Sequence, residues 1–163
     1  MTLSANYNLQ REERGKKMLN LNTVSRKLKN FMDEEWSSLD FDYEVRDSML
    51  NVNADLVINV NDEEVPVYLD ITIGDSGLLW VDFNFHGGEV NLTMNSLMTV
   101  NEYNNGVGPF KAYVDDDGRL ILSRPCLSIE DEDAFGPQIE DLLIEMVSDS
   151  NKEALAPLLA LLA

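Results

Sequence analysis

Apolar and polar side chains alternate through three consecutive runs in the middle of the chain. Val52, Ala54, Leu56, Ile58 and Val60 are interleaved with Asn53, Asp55 and Asn59. Val67, Leu69, Ile71 and Ile73 alternate with Tyr68, Asp70 and Thr72, and Leu79, Val81, Phe83 and Phe85 with Trp80, Asp82 and Asn84. A period of two places each apolar set on one side of a strand, and the polar breaks at 61–64 and 74–77 suit short turns. The pattern predicts an antiparallel three-stranded meander with one apolar face. Pro66 opens its run, where a missing N–H donor is tolerated. A weaker run, Phe41–Arg46, is a candidate for a preceding strand. The aliphatic rows require a cover of helices, and the second and third are expected to face the first and last of them.

On both sides of the meander the apolar period lengthens. Met18, Leu21, Val24, Leu28, Phe31, Met32 and Trp36 fall on one stripe and predict a helix over 18–36, beginning between Lys17 and Asn22. Asp33, Glu34 and Glu35 oppose its macrodipole, a reason for it to fray before Trp36. After Gly87-Gly88 a short helix is predicted over 91–104 through Met94, Leu97, Met98 and Asn101. Asn91, Thr93 and Asn95 compete for its cap, and Asn104-Asn105-Gly106 stops it. Phe110–Val114 and Arg119–Ser123 flank an Asp115–Gly118 turn, a hairpin signal. Ser128 with Asp131 reads as an acidic variant of a capping box. It opens a helix whose buried stripe is Phe135, Ile139, Leu142, Leu143 and Met146, with Pro137 confined to its first turn. Asp149-Ser150-Asn151 breaks that run before a nearly all-apolar end.

The fold class expected is α+β: one antiparallel sheet, meander plus hairpin, packed with helices in the order α-β-β-β-α-β-β-α. The expected organisation is a basic arm over 1–17, one domain over 18–150, and an apolar helix or tail over 151–163. At 163 residues and 44% hydrophobic, the chain can bury a core without disulfides. Its single cysteine, Cys126, forms no internal bridge. No leader pattern and no apolar run of about 18 residues is present, so the expectation is a soluble protein of the cytoplasm.

Charge alters this picture. Twelve Lys and Arg against 30 Asp and Glu give a formal −18. Seven of the basic residues, Arg11, Arg14, Lys16, Lys17, Arg26, Lys27 and Lys29, lie in the first thirty positions, against only Glu12 and Glu13. Residues 31–163 carry five basic and 28 acidic side chains, a net −23. Such a body repels nucleic acid and anionic membranes and attracts basic partners. The basic stretch either lies against its own acidic body or touches an acidic or phosphate-bearing partner.

Catalytic chemistry has little to work with. One histidine, His86, and one cysteine leave no set for a His-based triad or a zinc site. His86 is expected as a polar strand-end residue and Cys126 as a packed thiol. Asp115-Asp116-Asp117-Gly118 is rich in hard oxygen donors, but Gly118 is fourth where a calcium-binding EF-hand loop needs glycine sixth, and strand residues follow. No phosphate-binding glycine loop occurs. The expectation is no metal, no cofactor and no enzymatic activity.

The order of elements resembles the type III secretion chaperone-like superfamily, including YbjN-like proteins. The resemblance spans about residues 18–148. It is clearest over Asn95–Arg124, where a short helix bearing Asn101 leads through a glycine-containing bend to Phe110 and the hairpin around Val114–Leu122. The basic arm, the Phe41–Arg46 segment and the apolar tail depart from that pattern. The resemblance implies a small, acidic, non-enzymatic protein, often dimeric, that binds an extended partner segment across its sheet and helix surface. The partner expected is a protein, basic or partly disordered. Tyr68 and Trp80, on the side opposite the apolar rows, are the candidate contacts; cross-strand packing is their other use. Leu155, Leu158, Leu159, Leu161 and Leu162 are candidates for a homo-oligomer interface or for a last helix folded onto the sheet. An acidic inhibitor or nucleic-acid mimic, such as a viral counter-defence protein, is the competing reading.

Overall fold

A computed structural model describes residues 17–162. The arm expected over 1–17 therefore lies outside the described residues, except for Lys17. Asn20 caps the first helix, α1 (Leu21–Glu35), by accepting the Thr23 N–H at 3.2 Å. Leu21, Val24, Leu28 and Met32 form its buried stripe. Met18 precedes the helix and is 64% exposed, so the stripe begins one step later than its periodicity suggests. The helix stops at Glu35, and the Trp36 N–H closes its last turn on the Met32 carbonyl.

Six strands follow in one antiparallel sheet: β1 (Asp42–Arg46), β2 (Met49–Val60), β3 (Glu63–Gly74), β4 (Leu78–Phe85), β5 (Lys111–Val114) and β6 (Leu120–Ser128). Their spatial order is β1-β2-β3-β4-β6-β5. The weak 41–46 run is thus a true strand, added to the predicted meander. Asn61 and Asp62, with φ of 53° and 65°, make the two-residue turn between β2 and β3, a left-handed conformation that Asn and Asp tolerate and hairpins favour. Gly77 (φ 90°) ends the next turn, where any Cβ would run into the Ile129 carbonyl.

Between β4 and β5 lies α2 (Met94–Asn104), opened by a capping box in which Thr93 and Ser96 bond each other's backbone N–H. Two helices end the described chain, α3 (Phe135–Met146) and α4 (Asp149–Leu159). The α+β class and the expected order hold, with β1 and α4 added to it.

Boundaries around the last two helices differ from expectation. Ser128 is the last residue of β6, and α3 starts at Phe135 after Ala134, with no side-chain cap. The cause is the sheet: Leu78 pairs with Ser128, and the Ile129 N–H bonds the Gly77 carbonyl at 2.8 Å, so the ladder holds this segment extended. Asp131 instead makes a local turn, accepting the Asp133 N–H at 2.9 Å. The break before the last helix falls at Val147–Ser148, and Ser148 caps α4 by accepting the Asn151 N–H. Asn151 is buried, donating to the Met146 carbonyl at 2.9 Å and accepting from Tyr103 Oη at 2.8 Å.

Alternate residues of β2, β3 and β4 face α1, α3 and α4 in one continuous core. Phe83 and Phe110 meet edge to face, centroids 5.5 Å apart. At Gly136 a Cβ would collide with the Phe31 ring, so glycine sets the close approach of α3 to α1. Lys27 of α1 also ties this pair through Asp133 at 2.9 Å. The terminal leucines fold back: Leu155 and Leu158 are fully buried, while Leu159, Leu161 and Leu162 pack against the core from its rim. Leu162 also makes an isolated antiparallel bridge to Val90. Of the two uses expected for these leucines, Leu155 and Leu158 therefore serve the last helix folded onto the core.

Candidate functional site

The six strands leave one face of the sheet without a helix on it among the described residues. Register lines up Asp42, Asn53, Asp70, Asp82, Ser123 and Lys111 in a single row across all six strands. The adjacent row is Asp55, Tyr68, Asn84, Ile121 and Tyr113. On the other side lie Glu44, Asn51, Thr72 and Trp80. Tyr68 and Trp80 thus share this open face, one row apart on either side of Asp70 and Asp82. Trp80 is 49% exposed and its indole N–H donates to Asp82 Oδ1 at 3.1 Å. Tyr68 is half-buried, its ring 6.0 Å from that of His86.

Asp70 and Asp82 stand directly opposite each other, an unfavourable cross-strand pair of like charges. Partial burial first, and the Asp82 charge second, push the Asp70 carboxyl above its ordinary value of 3.8. Asn53, with its amide turned to donate, supports Asp70 Oδ1 at 2.8 Å. Burial also raises Tyr68 and Tyr113, aided by Asp70, Asp55 and Asp42 in the first case and by Asp82 and Asp115 in the second. The two cations at the edges of this face are engaged: Arg46 with Glu44 at 2.7 Å, Lys111 with the Asn104 carbonyl at 2.7 Å.

Because Asp70 holds its proton more tightly folded than unfolded, its ionisation costs stability. That cost is complete above the raised folded pKa and disappears as pH falls below 3.8. Asp70→Asn is expected to raise the melting temperature by a few degrees at neutral pH, with the gap closing as pH falls toward 3.8. Thermal melts of both proteins across pH test this; a gap independent of pH, or of opposite sign, would refute it.

A second surface adjoins this face at β5. In α2, Ser96, Val100 and Tyr103 turn inward at helical spacing, whereas Met94, Leu97 and Met98 turn out. Met94 is 74% exposed, and Leu92, just before the helix, 65%. Leu92, Leu97, Val100, Tyr113 and Val114 line an apolar groove of about 190 Å³. Tyr113 belongs to both the groove and the open face, and so joins them. Asn104 guards the β5 edge, its amide bonding both the N–H (2.7 Å) and the C=O (2.9 Å) of Ala112. Those groups would otherwise template a further strand.

Tyr68 and Trp80 are on the expected side, whereas the spacing that predicts a helix through Met94, Leu97 and Met98 does not indicate that these three stay exposed. The missed signal was a short helix with apolar residues on two faces, one more than a single contact can bury.

His86 lies exposed at the strand end, and Cys126 is exposed rather than packed. At the Asp115 turn the carboxylate is committed to the chain: it accepts the Arg119 N–H at 2.9 Å and the Asp117 N–H at 3.0 Å, and pairs with Arg119 Nε at 2.8 Å. The Arg119 N–H is the largest cause holding its pKa low. Among the described residues no group of three or more His, Cys, Asp or Glu could hold a metal ion. No described helix is long and apolar enough to cross a membrane. No family model, curated protein or solved structure matches the chain.

Proposed function

We propose that this protein binds a partner polypeptide and catalyses no reaction, in the manner of the chaperone-like proteins its element order resembles. The observation that supports this most is the apolar surface of Leu92, Met94, Leu97 and Met98, left exposed beside a groove that leads through Tyr113 onto an acidic sheet face. Exposed aliphatic side chains clustered at a groove mark interaction sites on otherwise polar surfaces. The matching partner is a segment with an apolar anchor for the groove and basic residues for Asp42, Asp55, Asp70 and Asp82. Trp80 and Tyr68 add aromatic area on the way. Charge would speed encounter, and the apolar anchors would supply most of the affinity.

The test is calorimetric binding of a polypeptide isolated with the protein from its native host, compared across wild type, Leu97→Asp and Trp80→Ala. Leu97 is 49% exposed, so its variant is expected to keep the fold, which a thermal melt verifies. Leu97→Asp is expected to weaken binding about tenfold or more, and Trp80→Ala less, as for a central anchor and its flank. Salt raised from about 50 to about 500 mM should reduce affinity moderately. Binding untouched by Leu97→Asp yet abolished by modest salt would overturn the proposal and favour the acidic inhibitor or nucleic-acid mimic.

A further inference from the structure

The described chain begins at one rim of the sheet. The Leu19 N–H donates to the Asp75 carbonyl at 2.8 Å, and Asp75 sits in the β3–β4 turn. Leu19, near the start of the described residues, therefore lies at the end of the sheet that carries the β3–β4 turn. Asp70 lies four positions along β3 from Gly74, about 13 Å at ~3.3 Å per residue. Arg14 and Lys16 precede Leu19 by five and three positions, a reach of up to about 17 Å and about 10 Å. The reach of this stretch of chain is thus comparable to the distance from the rim to Asp70.

The charges match as well. Arg11, Arg14, Lys16 and Lys17 outnumber Glu12 and Glu13 in the segment that precedes Met18. On the face, Asp42, Asp55, Asp70 and Asp82 make no salt bridge among the described residues, whereas Glu44 already has Arg46. The opposed pair Asp70 and Asp82 is where an added cation relieves most repulsion. Between rim and carboxylates the path crosses the exposed side chains of Leu78 and Trp80, 47% and 49% accessible, against which the aliphatic stems of Arg and Lys can lie.

We propose that the amino-terminal segment, residues 1–16, docks across the open face of its own sheet, with Arg14 and Lys16 against Asp70 and Asp82. Tethering makes the contact intramolecular, with an effective concentration in the millimolar range that a free basic peptide must exceed. The segment is in this way a built-in competitor for the acidic half of the partner surface.

Zero-length carbodiimide coupling of the full chain tests it, on an equal mixture of ¹⁴N- and ¹⁵N-labelled protein read by mass spectrometry. The expected product joins Lys16 to Asp70 or Asp82 within single-isotope chains. Its yield should fall about fivefold between about 50 and about 500 mM salt. Asp70→Asn with Asp82→Asn should abolish it while the melt remains cooperative. Lys16 links confined to Asp75 or to Glu130–Asp133 would overturn the proposal, and so would links found only between light and heavy chains, which would mean that a second copy occupies the face. Absence of any Lys16 link to the sheet face would overturn it too. Partner binding is read separately through Leu97, so failure of this docking leaves that reading standing.

Discussion

Removal of residues 152–163 is expected to abolish cooperative unfolding rather than to release a folded subunit. The deleted segment carries Leu155 and Leu158, both fully buried, and the half-buried Leu159 and Leu162. Truncating one such leucine to alanine costs about 2–5 kcal/mol, and a domain's whole stability is about 5–15 kcal/mol. Losing two of them together with most of α4 therefore removes most of what holds the fold. Near-ultraviolet circular dichroism and a thermal melt provide the measurement. A sharp melt with retained tertiary signal and a smaller assembly would show instead that these leucines join one copy to another.

Phe83→Ala is expected to destabilise the protein by about 3–5 kcal/mol. Phe83 is fully buried, stands between Leu69 and Leu122 in the sheet register, and meets Phe110 edge to face. The surrounding strands are pinned by their ladders and can close only part of the cavity, so the loss belongs at the upper end of the large-to-small range. Leu69→Ala, one strand away, should cost about 2–5 kcal/mol. Denaturant unfolding with an unchanged slope is the check. A loss below about 1 kcal/mol for Phe83→Ala would mean that these rows are not the core.

These two regions differ in how far periodicity alone revealed them. The strands of the meander were legible because a period of two leaves little freedom: each apolar residue of Val67–Ile73 and Leu79–Phe85 is buried, each intervening one is not. Tyr68 and Trp80 were placed on the opposite side by the same parity. The turns were legible too, since Asn61-Asp62 and Gly77 carry residues that tolerate positive φ. Amphipathic α1 announced itself through Leu21, Val24, Leu28 and Met32.

What escaped was whatever depended on partners distant in the chain. Ser128 to Asp131 has the local chemistry of a helix start, yet β4 recruits Ser128 as a strand residue, and a ladder bond outweighs a cap. Asn104 reads as a helix stop, and only the approach of α2 to β5 makes its amide the cover of an open sheet edge. Met94, Leu97 and Met98 have helical spacing, but spacing is silent on which of two apolar faces a helix will bury; packing of Tyr103 against Asn151 in α4 decides it. Sequence by itself determined the alternation, the helices, the turns and the excess of carboxylates, because each follows from backbone geometry and composition within a few residues. Tertiary structure alone decided the strand order, the meeting of Asp70 with Asp82 and the exposure of α2, because these follow from which surfaces the other elements leave uncovered.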